Sequence, residues 1–255
     1  MVIEKPVENR KYPEFNKLLE VMNEMDYDYT KKESFLHVHD RKDKHFTIED
    51  HISALVISQL SANRPWIGIE KHEEELIEIF HNFDPEYLKN VNPEVLEEEI
   101  KSIKCGNISI HKQMTGLKDN ILIFERLEEE YGSMDDFVMS DEPVEIAKKL
   151  SKGEYKLKGV GLALACEYLK GVGIDVIKPD IHICRILGRF GYSKTEKATD
   201  KEAIAIIDDI SREYNMPKME IDTILWQYCA KGYLEICDSN PKCHICDIKC
   251  QYSKK

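Results

Sequence analysis

No stretch of this 255-residue sequence stays apolar for the roughly 18 residues that a membrane span requires. The opening MVIEKPVENRKYPEF also lacks the apolar core of a secretory signal. A soluble, non-secreted protein is expected, and in that setting eight cysteines do not read as a disulfide framework. Positive charge is scarce as well. Lys and Arg total 36 against 48 Asp and Glu, a formal net charge of −12, which excludes a uniformly basic nucleic-acid binder. There is no internal repeat and no long linker. An apolar content of 42% is close to that of ordinary globular chains and excludes a disordered chain or a fibre.

What is present is charge segregation and helical periodicity. Acidic runs such as Glu73-Glu74-Glu75, Glu97-Glu98-Glu99 and Glu128-Glu129-Glu130 crowd the first half and read as solvated helix faces. From Lys152 to Lys197, nine Lys/Arg stand against five Asp/Glu. A basic face can serve DNA where the total charge does not. Apolar spacing predicts a helix over 13–25, from Phe15, Leu18, Leu19 and Met22, and a loop or short strands over 26–46. Thr47-Ile-Glu-Asp50 reads as a capping box with Asp in the place of Glu, opening the next helix. A helix from Pro65 to about Phe80 follows, then others over 93–103, 115–131, 141–151, 161–170, 180–190, 200–214 and 217–231. The expected architecture is all-α, in two packed lobes with a cleft between them.

The segment Tyr155-Lys-Leu-Lys-Gly-Val-Gly161 lies directly between two helices. Gly159 and Gly161 let the turn tighten and bring bare backbone close to a ligand. The helix that begins there offers unsatisfied N–H groups and a positive dipole end, a combination suited to a phosphate. An ordinary helix–helix turn would contain the same residues. Further along comes Pro179-Asp180-Ile-His182-Ile-Cys-Arg185, where Asp180 sits at an N-cap position.

Hairpin, apolar helix, short connection and Pro-Asp in this order resemble the helix-hairpin-helix DNA glycosylase superfamily, in its endonuclease III-like branch. Leu157-Lys-Gly-Val-Gly161 matches that family's L-P-G-V-G, and Pro179-Asp-Ile-His-Ile-Cys-Arg185 its V-D-T-H-I-F-R. Leu60-Ser-Ala-Asn63 is similar to its L-S-A-Q, Ile100-Lys-Ser-Ile-Lys104 also looks like the family, and the resemblance spans about 47–252. It implies a two-lobed fold with a C-terminal cysteine-rich metal loop, divided as an N-terminal extension (1–46), a glycosylase core (47–232, hairpin at 155–161) and the cysteine loop (233–255).

The implied activity is base-excision repair: a damaged, mispaired or modified base is flipped out of double-stranded DNA and its N-glycosidic bond hydrolysed. The implied catalytic residue is Asp180, whose carboxylate would stabilise the oxocarbenium-like sugar and orient the attacking water. Gly159, Gly161 and Lys158 would hold phosphate, directly or through a monovalent cation at the hairpin. Asn63 would fill the space the base vacates, or else simply cap the following helix. Ile108 or Ile110 would wedge into the opposite strand. Family members that also cleave the backbone use a lysine at the position of Ala163, so lyase activity is not expected. A non-catalytic helix-hairpin-helix DNA-binding module is the alternative. The resemblance further implies a monomer, nucleoid-associated in the cytoplasm of a bacterium or archaeon, or nuclear in a eukaryote.

Cys237, Cys243, Cys246 and Cys250 place four thiols in one short segment. Four Cys ligands suit a [4Fe–4S] cluster or a structural Zn²⁺, with His244 or Cys229 as alternates for zinc. The resembling family carries a cluster here, although both outer cysteine intervals are shorter in this chain. Lys242, Lys249, Lys254 and Lys255 would accompany that loop at the DNA.

Overall fold

A computed structural model of the chain describes residues 11–28, 41, 44–251 and 253. Among these, regular structure is entirely helical, with thirteen α-helices, one 3-10 turn and no strand. In chain order they are α1 (Pro13–Glu24), α2 (Ile48–Leu60), α3 (Ile67–Glu70), α4 (Glu73–Ile79), the 3-10 turn (His81–Phe83), α5 (Pro85–Asn90) and α6 (Pro93–Ser102). There follow α7 (Ile110–Tyr131), α8 (Met134–Met139), α9 (Pro143–Lys152), α10 (Leu162–Gly171), α11 (Ile181–Arg189), α12 (Asp200–Tyr214) and α13 (Lys218–Cys229). The described residues form two compact units, one within Met1–Glu33 and Ile177–Lys255, the other within Ser34–Val176. None of the helices is long and apolar enough to cross a membrane.

The unit within Ser34–Val176 is built on α2. Its capping box forms as the residues predict: Thr47 N–H donates to Asp50 Oδ2 (2.9 Å) and Asp50 N–H to Thr47 Oγ1 (3.4 Å). All ten residues from His51 to Leu60 are buried, so α2 beyond its first turn has no solvent face and must satisfy its polar side chains internally. His51 does so against α10 and α8. Burial lowers its pKa and keeps the ring neutral. Nε2–H then donates to Asp135 Oδ1 (3.3 Å) while Nδ1 accepts from the Tyr168 hydroxyl (2.6 Å). Burial alone would raise the Asp135 carboxyl, but hydrogen bonds from His51, Arg41 and the Phe46 N–H outweigh it and hold it far below the usual carboxylate range. This network pins α10, the helix that follows the glycine hairpin, to α2.

In the other unit, α1 packs into the same core as α11, α12 and α13. Phe15, Leu18, Leu19 and Met22 are buried with Ile183, Ile186, Leu187, Ile207 and Ile224, each side chain worth about 1.5–3 kcal/mol of apolar burial. Polar contacts fix the orientation of α1: the Tyr192 hydroxyl accepts from Phe15 N–H (2.9 Å) and the Tyr214 hydroxyl donates to Tyr12 O (3.1 Å).

The structure departs from the expected helices over 65–80 and at the start of α7, and it adds α5 and α8, which the periodicity did not predict. The helix expected from Pro65 to Phe80 is broken at His72 (φ −124°, ψ 27°). Three successive glutamates, Glu73–Glu75, then occupy the first turn of α4, where the positive dipole end favours carboxylates and rewards a new helix start. Helix α7 begins at Ile110 rather than near 115, because Asn107 organises its entry by accepting from Ser109 N–H (2.8 Å). Most of the irregular segment expected over 26–46 lies outside the described residues, and the described part contains no strand.

Candidate functional site

The connection between α9 and α10 carries the two glycines, and they differ in what they need. Gly159 has φ +72°, a conformation that side-chain-bearing residues rarely adopt, and a Cβ there would lie 3.3 Å from Gln59 Nε2. Gly161 is extended (φ −99°, ψ 179°), and a Cβ on it would meet nothing within 4 Å. Nothing inside the protein therefore requires glycine at 161. Gly161 is exposed and is the N-cap of α10, with no side chain capping the first turn, so the positive end of that helix is left uncompensated. Lys158 is exposed beside it, and its ammonium has no partner among the described residues.

Residues that sequence reasoning missed hold this hairpin rigid. Asn120 of α7 brackets Lys158, accepting from its N–H (2.6 Å) and donating to its carbonyl (3.2 Å). Gln59 of α2 donates to the same carbonyl (2.9 Å), and Gln113 of α7 donates to the Gln59 carbonyl (2.8 Å). The signal available was an amide side chain on an otherwise apolar helix face, between Ile57 and Leu60 and between Leu117 and Ile121. A buried amide must find partners.

Asp180 lies in the other unit and is the N-cap of α11. Its Oδ1 accepts from His182 N–H (2.8 Å) and Ile183 N–H (3.1 Å). Its second carboxylate oxygen has no hydrogen bond among the described residues, and the residue is half-buried. Capping therefore uses one oxygen and leaves the other available. Burial lowers the His182 pKa although the Asp180 carboxylate pulls the other way, so this imidazole is neutral near pH 7.

Asn63 is exposed, follows α2 with φ 56°, and does not cap α3, whose N-cap Trp66 has no side-chain cap bond. The capping alternative for Asn63 is thus excluded, and its left-handed backbone is one that Asn tolerates better than most residues. Its neighbour Arg64 donates to Lys104 O (2.7 Å), fastening the 62–66 loop to the 103–109 loop, and Asn107 Nδ2 donates to Gln59 O (2.9 Å), fastening that second loop to the last turn of α2. In that second loop Ile108 is 93% exposed while Ile110 is buried. Of the two isoleucines considered as a wedge, only Ile108 is accessible.

Three of the four C-terminal cysteines have separate partners. Cys237 is buried, its sulfur accepting from Arg189 Nη1 (3.4 Å). The neighbouring Cys229 thiol and then Arg189 push the Cys237 pKa down to about 6, while fully buried Cys229 keeps its proton. Cys246 lies 3.2 Å from the Tyr228 hydroxyl and Cys250 is 3.5 Å from Ser253 Oγ. Cys243 is half-buried and His244 exposed. Among the described residues, no three His, Cys, Asp or Glu side chains are gathered as a metal-holding group. Lys254 and Lys255 lie outside the described residues, and Lys249 is exposed.

The hairpin between α9 and α10, followed in the chain by α11 with a capping aspartate, is a helix-hairpin-helix arrangement. No family model matches the sequence, and no curated protein matches it. Solved structures do. An endonuclease III trapped as a covalent DNA intermediate superposes with a TM-score of 0.61 at 17% identity, over 95% of this chain and 97% of that one. The Methanocaldococcus jannaschii 8-oxoguanine glycosylase/lyase bound to DNA containing 8-oxoguanine gives 0.57 at 22%, over 84% and 95%. A thermostable thymine-DNA glycosylase gives 0.54 at 15%, over 93% and 97%. The chain has the endonuclease III fold.

Proposed function

We propose that the protein is a DNA glycosylase of base-excision repair, which flips a damaged, mispaired or modified base from duplex DNA and hydrolyses its N-glycosidic bond. The observation that carries this reading is Asp180: a carboxylate fixed at a helix N-cap through one oxygen, with the other unengaged. Cleavage of the glycosidic bond builds positive charge on the sugar, and a preorganised carboxylate stabilises it without reorganising. The two N–H groups at the helix N-terminus keep that carboxylate aimed. The same oxygen can take a hydrogen bond from the incoming water and withdraw its proton. What the solved neighbours act on supports a base-excision role.

The hairpin supplies grip rather than sequence reading. Bare backbone at Gly161 and the uncapped start of α10 suit a phosphate oxygen, and Lys158 adds charge. Asn63 and Ile108, projecting from two loops that Arg64 ties together, are suited to filling the vacated stack and wedging the opposite strand. Because Ala163 carries no amine, no Schiff base can form at that position. The reaction ends at an abasic site, and the protein acts as a monomer.

The donor chemistry of Cys237, Cys243, Cys246 and Cys250 fits a metal centre, four soft thiols lying within one short segment with Cys237 already favouring the thiolate. We assign these residues to a [4Fe–4S] cluster, with structural zinc as the alternative; when bound, either supplies cross-linking of the C-terminal segment, not redox chemistry in base removal. The test of function is a panel of duplexes carrying oxidised pyrimidines, mismatched uracil or thymine, alkylated bases or modified cytosines. Products are scored with and without alkali, so that base loss and strand cleavage are separated. Alkali-dependent cleavage of one substrate class is expected. Binding of every duplex without base release would instead favour the non-catalytic module.

A further inference from the structure

The phosphate grip proposed above calls for positive charge at the hairpin, for which a bound monovalent cation is one source. Such an ion sheds water only if several backbone oxygens replace it. Four of the hairpin carbonyls are already engaged. The Leu157 carbonyl accepts from Val160 N–H (3.4 Å), that of Lys158 accepts from both Gln59 (2.9 Å) and Asn120 (3.2 Å), and that of Gly161 accepts from Ala165 N–H (2.9 Å). The Val160 carbonyl accepts from the Lys156 ammonium (2.9 Å). The same ammonium also donates to the Ser151 carbonyl in the last turn of α9, so it bridges the end of one helix and the entry to the next. The donor set does not fit a metal ion, because a unit positive charge already stands among those oxygens and would repel one.

We propose that the Lys156 ammonium is the hairpin's built-in cation, occupying the place of a monovalent metal ion and presenting its charge to a DNA phosphate at the Gly161 backbone. Three hydrogens on the ammonium allow two carbonyl bonds and leave one for an incoming phosphate oxygen. The consequence is a grip whose strength follows ionic strength, as every phosphate contact must, but not the identity of the salt cation. This inference rests on the DNA-binding reading.

The test is duplex binding by the full chain at matched ionic strength in potassium, sodium or tetramethylammonium chloride, the last too large and too methylated for carbonyl coordination. The wild type should give the same Kd in all three within about twofold. Lys156→Met keeps the length of the stem and removes the charge. It should bind about five- to tenfold more weakly in tetramethylammonium and recover partly in potassium or sodium, as the freed carbonyls accept an ion. Lys158→Met should weaken binding equally in all three salts. Two results overturn the proposal: a wild-type Kd that rises severalfold in tetramethylammonium, or a Lys156→Met defect identical in all salts, which would mark the lysine as packing only. The wild-type comparison needs no variant to fold. Absence of duplex binding in every salt is a different result, and it overturns the DNA-binding reading on which the proposal stands.

Discussion

Replacing Asp180 by Asn and by Ala separates its two tasks. Asn retains an oxygen for the N–H groups of His182 and Ile183, and it ranks with Asp as an N-cap, so stability should change by no more than about 0.5 kcal/mol. Ala removes the cap and should cost about 1 kcal/mol, lowering Tm by about 2–4 °C for a chain of this length. Both substitutions remove the charge. A preorganised group facing transition-state charge is typically worth about 3–4 kcal/mol, or about 10²–10³-fold in rate. The measurement is single-turnover base release with enzyme in excess, on the substrate the wild type cleaves, alongside thermal melting and duplex affinity. Asp180→Asn should lose excision while keeping Tm and Kd; Asp180→Ala should lose excision and some Tm. A wild-type rate in Asp180→Asn, or losses that merely track Tm across the two variants, would refute the assignment.

Other outcomes follow from the same geometry. Gly161→Ala should cost no more than about 0.5–1 kcal/mol, the difference between Gly and Ala at an N-cap, since its Cβ meets nothing, yet weaken binding to all duplexes alike; a loss confined to one lesion would mean that the hairpin reads bases. Gly159→Ala should cost about 1 kcal/mol or more because of its positive φ, measured by denaturant titration. The Asp135 carboxyl is depressed in the folded state, so its contribution is present in full above the ordinary value of 3.8 and is lost as pH falls below it. Asp135→Ala, which strands Arg41 and His51, should lose about 3–5 kcal/mol near pH 7, and the acid-side slope of wild-type stability should be shallower in that variant. Borohydride should trap no covalent adduct with abasic DNA, and a strong adduct would place a reactive lysine elsewhere than position 163. Protein purified without oxygen from iron-replete cells should be brown and contain about four irons per chain; stoichiometric zinc would replace the cluster by a zinc site, and neither metal would remove both.

Local chemistry was legible in the residues themselves. The Thr47–Asp50 capping box, the Asp180 cap, the apolar stripe of α1 and the helix 200–214 depend on neighbours within one or two turns, and they form as the pattern predicts. The need for glycine at 159 also follows from a tight turn, whereas only the structure shows that glycine at 161 is required by nothing in the protein. Tertiary packing decided what periodicity could not. Gln59, Gln113 and Asn120 read as polar interruptions until α2 and α7 bring them under the hairpin. Ile108 and Ile110 are alike in sequence, and only the start of α7 buries one and exposes the other. The glutamates at 73–75 look like a continuing helix face until the break at His72 makes them a helix start. In each case the deciding partner is distant in the chain or the outcome turns on burial, and neither is encoded in a local window.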